Sequence, residues 1–339
     1  MTTIARIEVE RLSLPLHSPF TTARRRATSA ESVVVRVTDS NGRVGLGEAP
    51  QNWQVLGASV AGSAACLAGP LRDAALGRSA DPIKTWPVLD RAVAGNSAAK
   101  AALDCALHDL SGVRSLLVPT LVTVPVGDPD EIAEAARARV AEGFRTLKLK
   151  VGTDAATDVA RVRAARDGAG PGVALRVDAN TGWDCFEAVR VIRALEDAGV
   201  DLQLVEQPVG RRDLLGMAHV RSHVETPVMA DESLFDLVDL VELVRHDAAD
   251  LVNVKIAKAG GITPALELAR VARRHGLGVS VGCMLESGIG VSAAAALAAR
   301  VGCDVDPDLD GAWWLADGAA YAERVAYADG HALLGRMRA

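Results

Sequence analysis

The stretch TLKLKVG (Thr146–Gly152) reads as a strand of an interior sheet, yet it carries two lysines. Leu147, Leu149 and Val151 alternate with Lys148 and Lys150, so both ammonium groups leave one face, a strand repeat apart. Like charges held together are costly, and a buried lysine is costlier still. The reason for placing them there lies in the strands on either side.

From about Val122 short apolar strands (LVTVPV, TLKLKV, ALRVDA, LQLVEQ, TPVMADE, LVNVKI, GVSVGC) alternate with helical segments that end in turn glycines. GDPDEIAEAARARVAEG shows the helix grammar: Asp128 can cap, Pro129 suits the first turn and Gly143 the exit. DCFEAVRVIRALEDAG repeats it, with Asp184 at the start and Gly199 at the end. Seven or more such units predict a closed parallel barrel with helices outside. An open doubly wound sheet is the alternative, but no dinucleotide-type glycine fingerprint follows a first strand. The residues before the barrel differ in kind. IARIEVERLSLPL and SVVVRVTDSNGRVGLGEA read as strands, the second folded at Asn41–Gly42, and Ala- and Leu-rich helical segments such as Ser97–Leu110 follow. The expected division is an α+β capping domain at 1–118, a barrel at 119–310 and a tail at 311–339 that packs on the cap.

The chain of 339 residues has a formal net charge of −6, which gives no basic surface for nucleic acid. The N-terminal MTTIARIEVERLSLPL has scattered charges and no apolar signal-peptide core, and no uncharged apolar run reaches membrane-spanning length. Five dispersed cysteines without a CxxC pair predict reduced thiols, hence a cytoplasmic protein rather than a disulfide frame or zinc site.

The polar residues fall in phase with the barrel rhythm. Asp178 in RVDAN, Glu206 in LVEQP, Asp231 in MADES and Lys255 in VNVKI follow Lys150 at steps of 28, 28, 25 and 24 residues, one βα unit each. Each lands near the C-terminal end of a successive strand, the rim where barrels keep their active sites. Three carboxylates on adjacent strands need a cation, and oxygen-only donors favour Mg²⁺ over zinc. Lys150, one strand before the acids, and Lys255, one strand after them, are expected to face each other across the mouth. Lys148 and the divalent ion are expected to lower the proton affinity of Lys150 toward a general base. A metal that neutralises a developing enediolate, with an amine on each face, is a racemase or epimerase arrangement; using one face alone, it would run β-elimination or cycloisomerisation.

KLK, DAN, EQP, ADES, VNVKIAKAGG and GCMLESGIG together resemble the enolase superfamily, muconate-lactonising subgroup, over most of the chain. The use of Lys or His bases with Mg²⁺ in that superfamily is general knowledge. The resemblance implies a modified barrel, (β/α)7β, capped by an N-terminal α+β domain and the C-terminal tail. Within the subgroup the nearest likeness is to dipeptide epimerases of the L-Ala-D/L-Glu type, on the strength of DPDLDGAWWLAD. It implies that Asp308 and Asp310 grip the free α-ammonium of a dipeptide, with Asp304 and Asp306 as rivals for the role. It further implies that Lys148 assists Lys150 and touches the substrate carboxylate, and that Thr123, Cys283 and Met284 line the dipeptide. Arg25 in TTARRRAT aligns with an arginine that meets a glutamate side chain, although Arg24 and Arg26 allow a register slip. One Mg²⁺ per subunit and a homo-oligomer are implied as well. Ala312 stands where a proline is common, and DLSGVRSLLVPTLVTVPV is a shorter cap-to-barrel linker than usual.

The expected function is therefore 1,1-proton transfer at the C-terminal residue of a dipeptide by Lys150 and Lys255, with Asp178, Glu206 and Asp231 on the metal. An o-succinylbenzoate synthase or muconate cycloisomerase built from the same parts is the first alternative. A catalytically retired ligand-binding barrel is the second. His108 in ALHDL and His275 in RRHGLG sit in helical contexts and are expected to be structural.

Overall fold

The structure is a computed structural model and describes residues 2–22, 26–112 and 115–335. Its N-terminal part is an antiparallel sheet of β1 (Ile4–Thr21), β2 (Arg26–Asp39) and β3 (Val44–Pro50). The β2–β3 hairpin turns where Asn41–Gly42 predicts it, and Gly42 takes the positive φ (79°) that the tight turn requires. Four helices follow: α1 (Val60–Ala68), α2 (Pro70–Ala75), α3 (Pro82–Ala92) and α4 (Ser97–Asp109). α4 lies against β3 so closely that a side chain at Gly45 or Gly47 would strike the backbone carbonyls of Ala106 and Ala102. Val33, Val35, Val37, Leu103 and Leu107 fill the space between sheet and helices.

A short strand, β4 (Leu116–Pro119), leads into the barrel. Its units are β5 (Val122–Val124), α5 (Pro129–Ala141), β6 (Thr146–Lys150), α6 (Ala155–Ala169), β7 (Ala174–Asp178), α7 (Cys185–Asp197), β8 (Leu202–Glu206) and α8 (Leu214–His223). They continue through β9 (Val228–Ala230), α9 (Leu237–Arg245), β10 (Leu251–Lys255), the short α10 (Ile256–Ala259), α11 (Ile262–Arg274), β11 (Gly278–Gly282) and α12 (Gly288–Val301). β5 to β11 form one seven-stranded parallel sheet in sequence order. Its outer face packs on the helices through residues such as Leu147, Leu149, Val177, Val205 and Val254. The helix entries follow their capping chemistry: Asp128 and Glu131 form a capping box at α5, and Asp184 accepts from Glu187 N at α7.

The eighth position of the barrel is filled without a regular strand. Segment 306–310 meets β11 through one parallel bridge, Gly282↔Asp308, and Leu121 N on the other side donates to Pro307 O at 3.1 Å. Pro307 has no N–H to give to a ladder, so side chains supply much of the pairing here. The tail continues through β12 (Val325–Ala328) and β13 (His331–Leu334), and β13 pairs antiparallel with β4. Leu315 bridges to Leu16, and Trp314 packs with Leu14, Ala30 and Leu285, tying the tail to β1 and β2. No helix among the described residues is long and apolar enough to cross a membrane, and all five cysteines are unpaired.

Candidate active site

β6 is buried along its whole length because both of its faces are covered. The alternation read from the sequence sends Leu147 and Leu149 outward to the helices and Lys148 and Lys150 into the barrel mouth. In the parallel register Lys150 lies beside Asp178, and Asp178 beside Glu206. Asp231 follows the last residue of β9, and Lys255 ends β10. Strand ends thus bring these residues to one rim.

Lys148 sits at the centre of the anionic cluster. Its Nζ lies 2.8 Å from Glu206 Oε2, 2.8 Å from Asp308 Oδ2 and 3.0 Å from Asp178 Oδ2. Burial alone would drive this amine toward neutrality, but the three carboxylates, with Asp231 beyond, hold its proton affinity well above the ordinary value. Lys148 is therefore a fixed cation. Lys150 Nζ donates to Asp178 Oδ2 at 2.6 Å, and Lys255 Nζ to Asp231 Oδ2 at 2.8 Å. Burial pushes Lys255 down, yet Asp231 outweighs it and keeps the amine above its usual range. That raised affinity belongs to an ammonium at rest on the carboxylate. A fourth amine, Lys258, also donates to Asp231 Oδ1 at 2.5 Å and to its carbonyl; here burial prevails and lowers the affinity.

The three acids are almost inaccessible, at 0, 1 and 2 % exposure for Asp178, Glu206 and Asp231, so every oxygen needs an internal partner. Burial raises Asp178, but Lys148 and Lys150 bring it down to about 2. Glu206 moves the other way, burial outweighing Lys148. Its Oε1 accepts from Asn253 at 3.0 Å, whereas Oε2 faces Lys148 without making a well-formed hydrogen bond. Neighbouring Glu232 accepts from Asn180 at 3.2 Å, and burial and then Asp231 push it up to about 7.

As they stand, no three such side chains among the described residues are gathered at metal-ligating distance; the lysine nitrogens lie between the carboxylates. The donor set nonetheless suits a hard divalent cation. Asp178, Glu206 and Asp231 present only carboxylate oxygens from successive strand ends, with no His or Cys among them. Glu206 Oε2 also lacks a donor of its own.

Lys150, Lys255, Asn180 and Asp231 line one cavity together with Thr123, Cys283, Met284, Asp308 and Asp310. Its lid comes from the cap: Phe20, Thr22, Asn52, Gln54 and Val55. Asp310 Oδ2 accepts from Thr123 N at 2.7 Å and Trp314 Nε1 at 3.2 Å; burial and then Asp308 push its carboxyl up to about 6. Cys283 is buried, and its sulfur accepts from Gly311 N at 3.3 Å. Met284 receives Asn52 Nδ2 at 3.6 Å. Asp304 and Asp306, the rivals of the DxD pair, point elsewhere. Asp304 accepts from Val279 N at 2.8 Å and pairs with Arg273, and Asp306 accepts from Thr146 Oγ1 at 2.6 Å. Arg25 and Arg24 lie outside the described residues, and Arg26 is exposed.

Sequence reading missed Asn180, Asn253, Lys258 and Glu232, each within three residues of a residue it singled out. Asn253 precedes Lys255 by two positions on β10 and so shares its face, a signal that spacing alone could have supplied. The cap contributors carried no such signal.

Comparison with known proteins places this geometry. A family described as Mandelate racemase / muconate lactonizing enzyme, N-terminal domain, matches residues 4–121, and one described as Enolase C-terminal domain-like matches residues 131–336. The L-Ala-D/L-Glu epimerase of Bacillus subtilis (strain 168) is 42% identical over 311 residues, 87% of this chain and 85% of that protein. The hydrophobic dipeptide epimerase of Enterococcus faecalis is 38% identical over 326 residues, 92% of this chain and 91% of that one. Among solved structures, a substrate-liganded complex of the Bacillus subtilis L-Ala-D/L-Glu epimerase superposes with a TM-score of 0.92 at 37% identity, covering 98% of this chain and 97% of that one. The Enterococcus faecalis dipeptide epimerase complexed with Mg and L-Leu-L-Tyr superposes with a TM-score of 0.89 at 35% identity, covering 98% of each chain. The chain belongs to the enolase superfamily, in the mandelate racemase/muconate lactonizing enzyme family that contains the dipeptide epimerases.

Proposed function

We propose that this protein is a Mg²⁺-dependent dipeptide epimerase that inverts the α-carbon of the C-terminal residue. One observation carries the reading: Lys150 and Lys255 enter a single cavity from strands on opposite sides of the acidic trio, each bonded to a different acid, Asp178 and Asp231. Asp178, Glu206 and Asp231 would hold one Mg²⁺ per subunit, which would neutralise charge developing on the substrate carboxylate as the α-proton leaves.

The chain's own residues supply the rest. Asn253 fixes Glu206 through Oε1, and Asn180 fixes Asp178 through its backbone N–H at 2.9 Å. Lys148 stays charged, faces the carboxylate end of the substrate and balances Glu206 and Asp308. Lys150 Nζ and Lys255 Nζ enter the cavity from opposite sides of the acidic trio and are the two amines within reach of the substrate's α-carbon. One then takes the α-proton and the other delivers a proton to the opposite face. Asp308 and Asp310 receive the free α-ammonium at the far end, and Thr123, Cys283 and Met284 shape the wall. On the resemblance alone, Arg25 is the residue assigned to the side chain of an acidic second residue. Two carboxylates at the cavity wall favour an amine-bearing substrate over the dicarboxylates of a muconate cycloisomerase or o-succinylbenzoate synthase. The retained amines and acids argue against a retired binding barrel.

The proposal further comprises a cytoplasmic location, a homo-oligomer on the strength of the family resemblance, and a division into an N-terminal cap at 1–118, a barrel at 119–310 and a tail at 311–339. The test is a library of free-amine dipeptides, N-acylated controls and dicarboxylates incubated with enzyme and Mg²⁺ in D₂O, read by mass gain. Gain of one deuterium by free-amine dipeptides only is the expected result. Gain confined to dicarboxylates or acylated compounds overturns the reading.

A further inference from the structure

Arg176 is 1 % exposed, the largest side chain among the described residues to be so deeply buried, and the site described above leaves it without a task. It stands on β7 two residues before Asp178, next to Lys148 in the register, so two cations share one layer inside the barrel. Its Nη2 has no hydrogen-bond partner among the described residues. A buried guanidinium beside another buried cation is expensive to keep, which asks what it holds. Nε donates to Gln203 Oε1 at 2.6 Å on β8, and Nη1 reaches across to the carbonyl of Asp306 at 2.7 Å.

Asp306 opens the irregular segment that fills the eighth barrel position and carries Asp308 and Asp310. Among the described residues that segment has one ladder bridge and a backbone bond from Leu121 N to Pro307 O, and side chains add further support. Thr146 Oγ1 donates to Asp306 Oδ2 at 2.6 Å, Thr120 Oγ1 accepts from Leu309 N at 3.1 Å, and Tyr327 Oη donates to Leu309 O at 2.7 Å. Arg176 anchors the entry of the segment, ahead of Pro307.

We infer that Arg176 is a positioning residue that pins segment 306–310, and with it Asp308 and Asp310, at the height in the mouth where the substrate ammonium is received. The substrate part rests on the dipeptide reading; the pinning does not. Amide hydrogen exchange of the full-length enzyme, read by mass spectrometry, tests the pinning without turnover. Arg176→Met should quicken exchange across residues 304–311 about tenfold and leave β8 to β10 unchanged. Unchanged exchange in that segment, or an equal rise throughout the barrel, overturns the inference. If Arg176→Met does not fold, Arg176→Lys, which keeps the charge but cannot span Gln203 and Asp306 together, should show a smaller rise confined to the same residues; no rise overturns the inference. With a dipeptide substrate, Arg176→Met should raise KM about tenfold with kcat little changed, and in an Asp308→Asn background it should add nothing further. Independent, multiplying effects would assign Arg176 a merely structural role. A wild-type enzyme inactive on dipeptides would refute the functional reading instead, and the exchange result would still judge Arg176.

Discussion

Lys255→Ala and Lys150→Ala should produce mirror-image enzymes. Each removes one amine and leaves the other in place. Truncating one partner of a buried ion pair commonly costs about 3–5 kcal/mol because the other charge is stranded. Neither carboxylate is stranded here. Asp231 keeps Lys258 at 2.5 Å, and Asp178 keeps Lys148 at 3.0 Å and the Asn180 N–H at 2.9 Å. The cost should shrink to that of one hydrogen bond between charged groups, about 1.5–3 kcal/mol, and both variants should fold. Epimerisation needs both faces, so each variant should lose about 10³-fold or more in turnover. Exchange of the α-proton with solvent deuterium needs one face. Each variant should therefore wash deuterium into one stereoisomer of the dipeptide, and the two variants should choose opposite ones. ¹H NMR of each pure stereoisomer in D₂O with Mg²⁺ reads the outcome. Exchange of both stereoisomers by either variant, or of the same one by both, would refute a two-base site.

Three further outcomes follow from named contacts. Glu48, on β3 of the cap, accepts from Ser32 Oγ (2.7 Å), Ser287 Oγ (2.5 Å), Ser287 N (3.1 Å) and Gly290 N (3.1 Å) at the start of α12; Glu48→Ala should cost about 3–5 kcal/mol in denaturant unfolding, and a loss below about 1 kcal/mol would contradict this clamp. In the seam between α4 and α11, burial and then Arg300 hold His108 down to about 4 from 6.5, while burial holds Asp104 up to about 6 from 3.8. A lowered histidine loses stability as pH falls from 6.5 to 4, a raised carboxyl loses it as pH rises from 3.8 to 6, and each effect is about 3 kcal/mol, so they oppose one another. His108→Gln should therefore gain stability on acidification through that window and Asp104→Asn should lose it, and parallel pH profiles for the two variants would show the assignment to be wrong. Saturating Mg²⁺ should raise the unfolding free energy by about 2.7 kcal/mol at a hundredfold excess over its dissociation constant, and Asp231→Asn should abolish most of that gain; an equal gain in the variant would remove Asp231 from the ligand set.

Much of the site could be read in the sequence because a parallel barrel converts phase along the chain into position on a rim. Lys148 and Lys150 are separated by one residue and so share a face, and Asp178, Glu206, Asp231 and Lys255 recur at the length of a βα unit. Local spacing was also enough for the Asn41–Gly42 hairpin and the Asp128 cap. Asn253 obeys the same periodicity but is a residue type that marks no chemistry by itself, while Asn180 lies beyond the end of β7 and Lys258 on the short α10, outside the strand rhythm. What periodicity could not supply was docking of the cap. Asn52 meets Met284, and Glu48 meets Ser287, across more than two hundred residues. Spacing alone could not choose Asp308 and Asp310, which the resemblance favours, over Asp304 and Asp306, because all four share one spacing. Only the partners, Lys148 and Thr123 against Thr146 and Val279, separate them. The eighth strand departs from the regular ladder for a reason visible in one residue, Pro307, whose missing N–H shifts pairing onto Thr120 and Arg176.

The most direct measurement follows the Cα–H signals of a single free-amine dipeptide in D₂O with the wild-type protein and Mg²⁺, and then again after chelation. The C-terminal Cα–H should vanish while the second diastereomer appears, the N-terminal Cα–H should persist, and chelation should stop both changes. Loss of the N-terminal Cα–H, or conversion that continues at the same rate without the divalent ion, would contradict a site built from two lysines around carboxylate-bound metal.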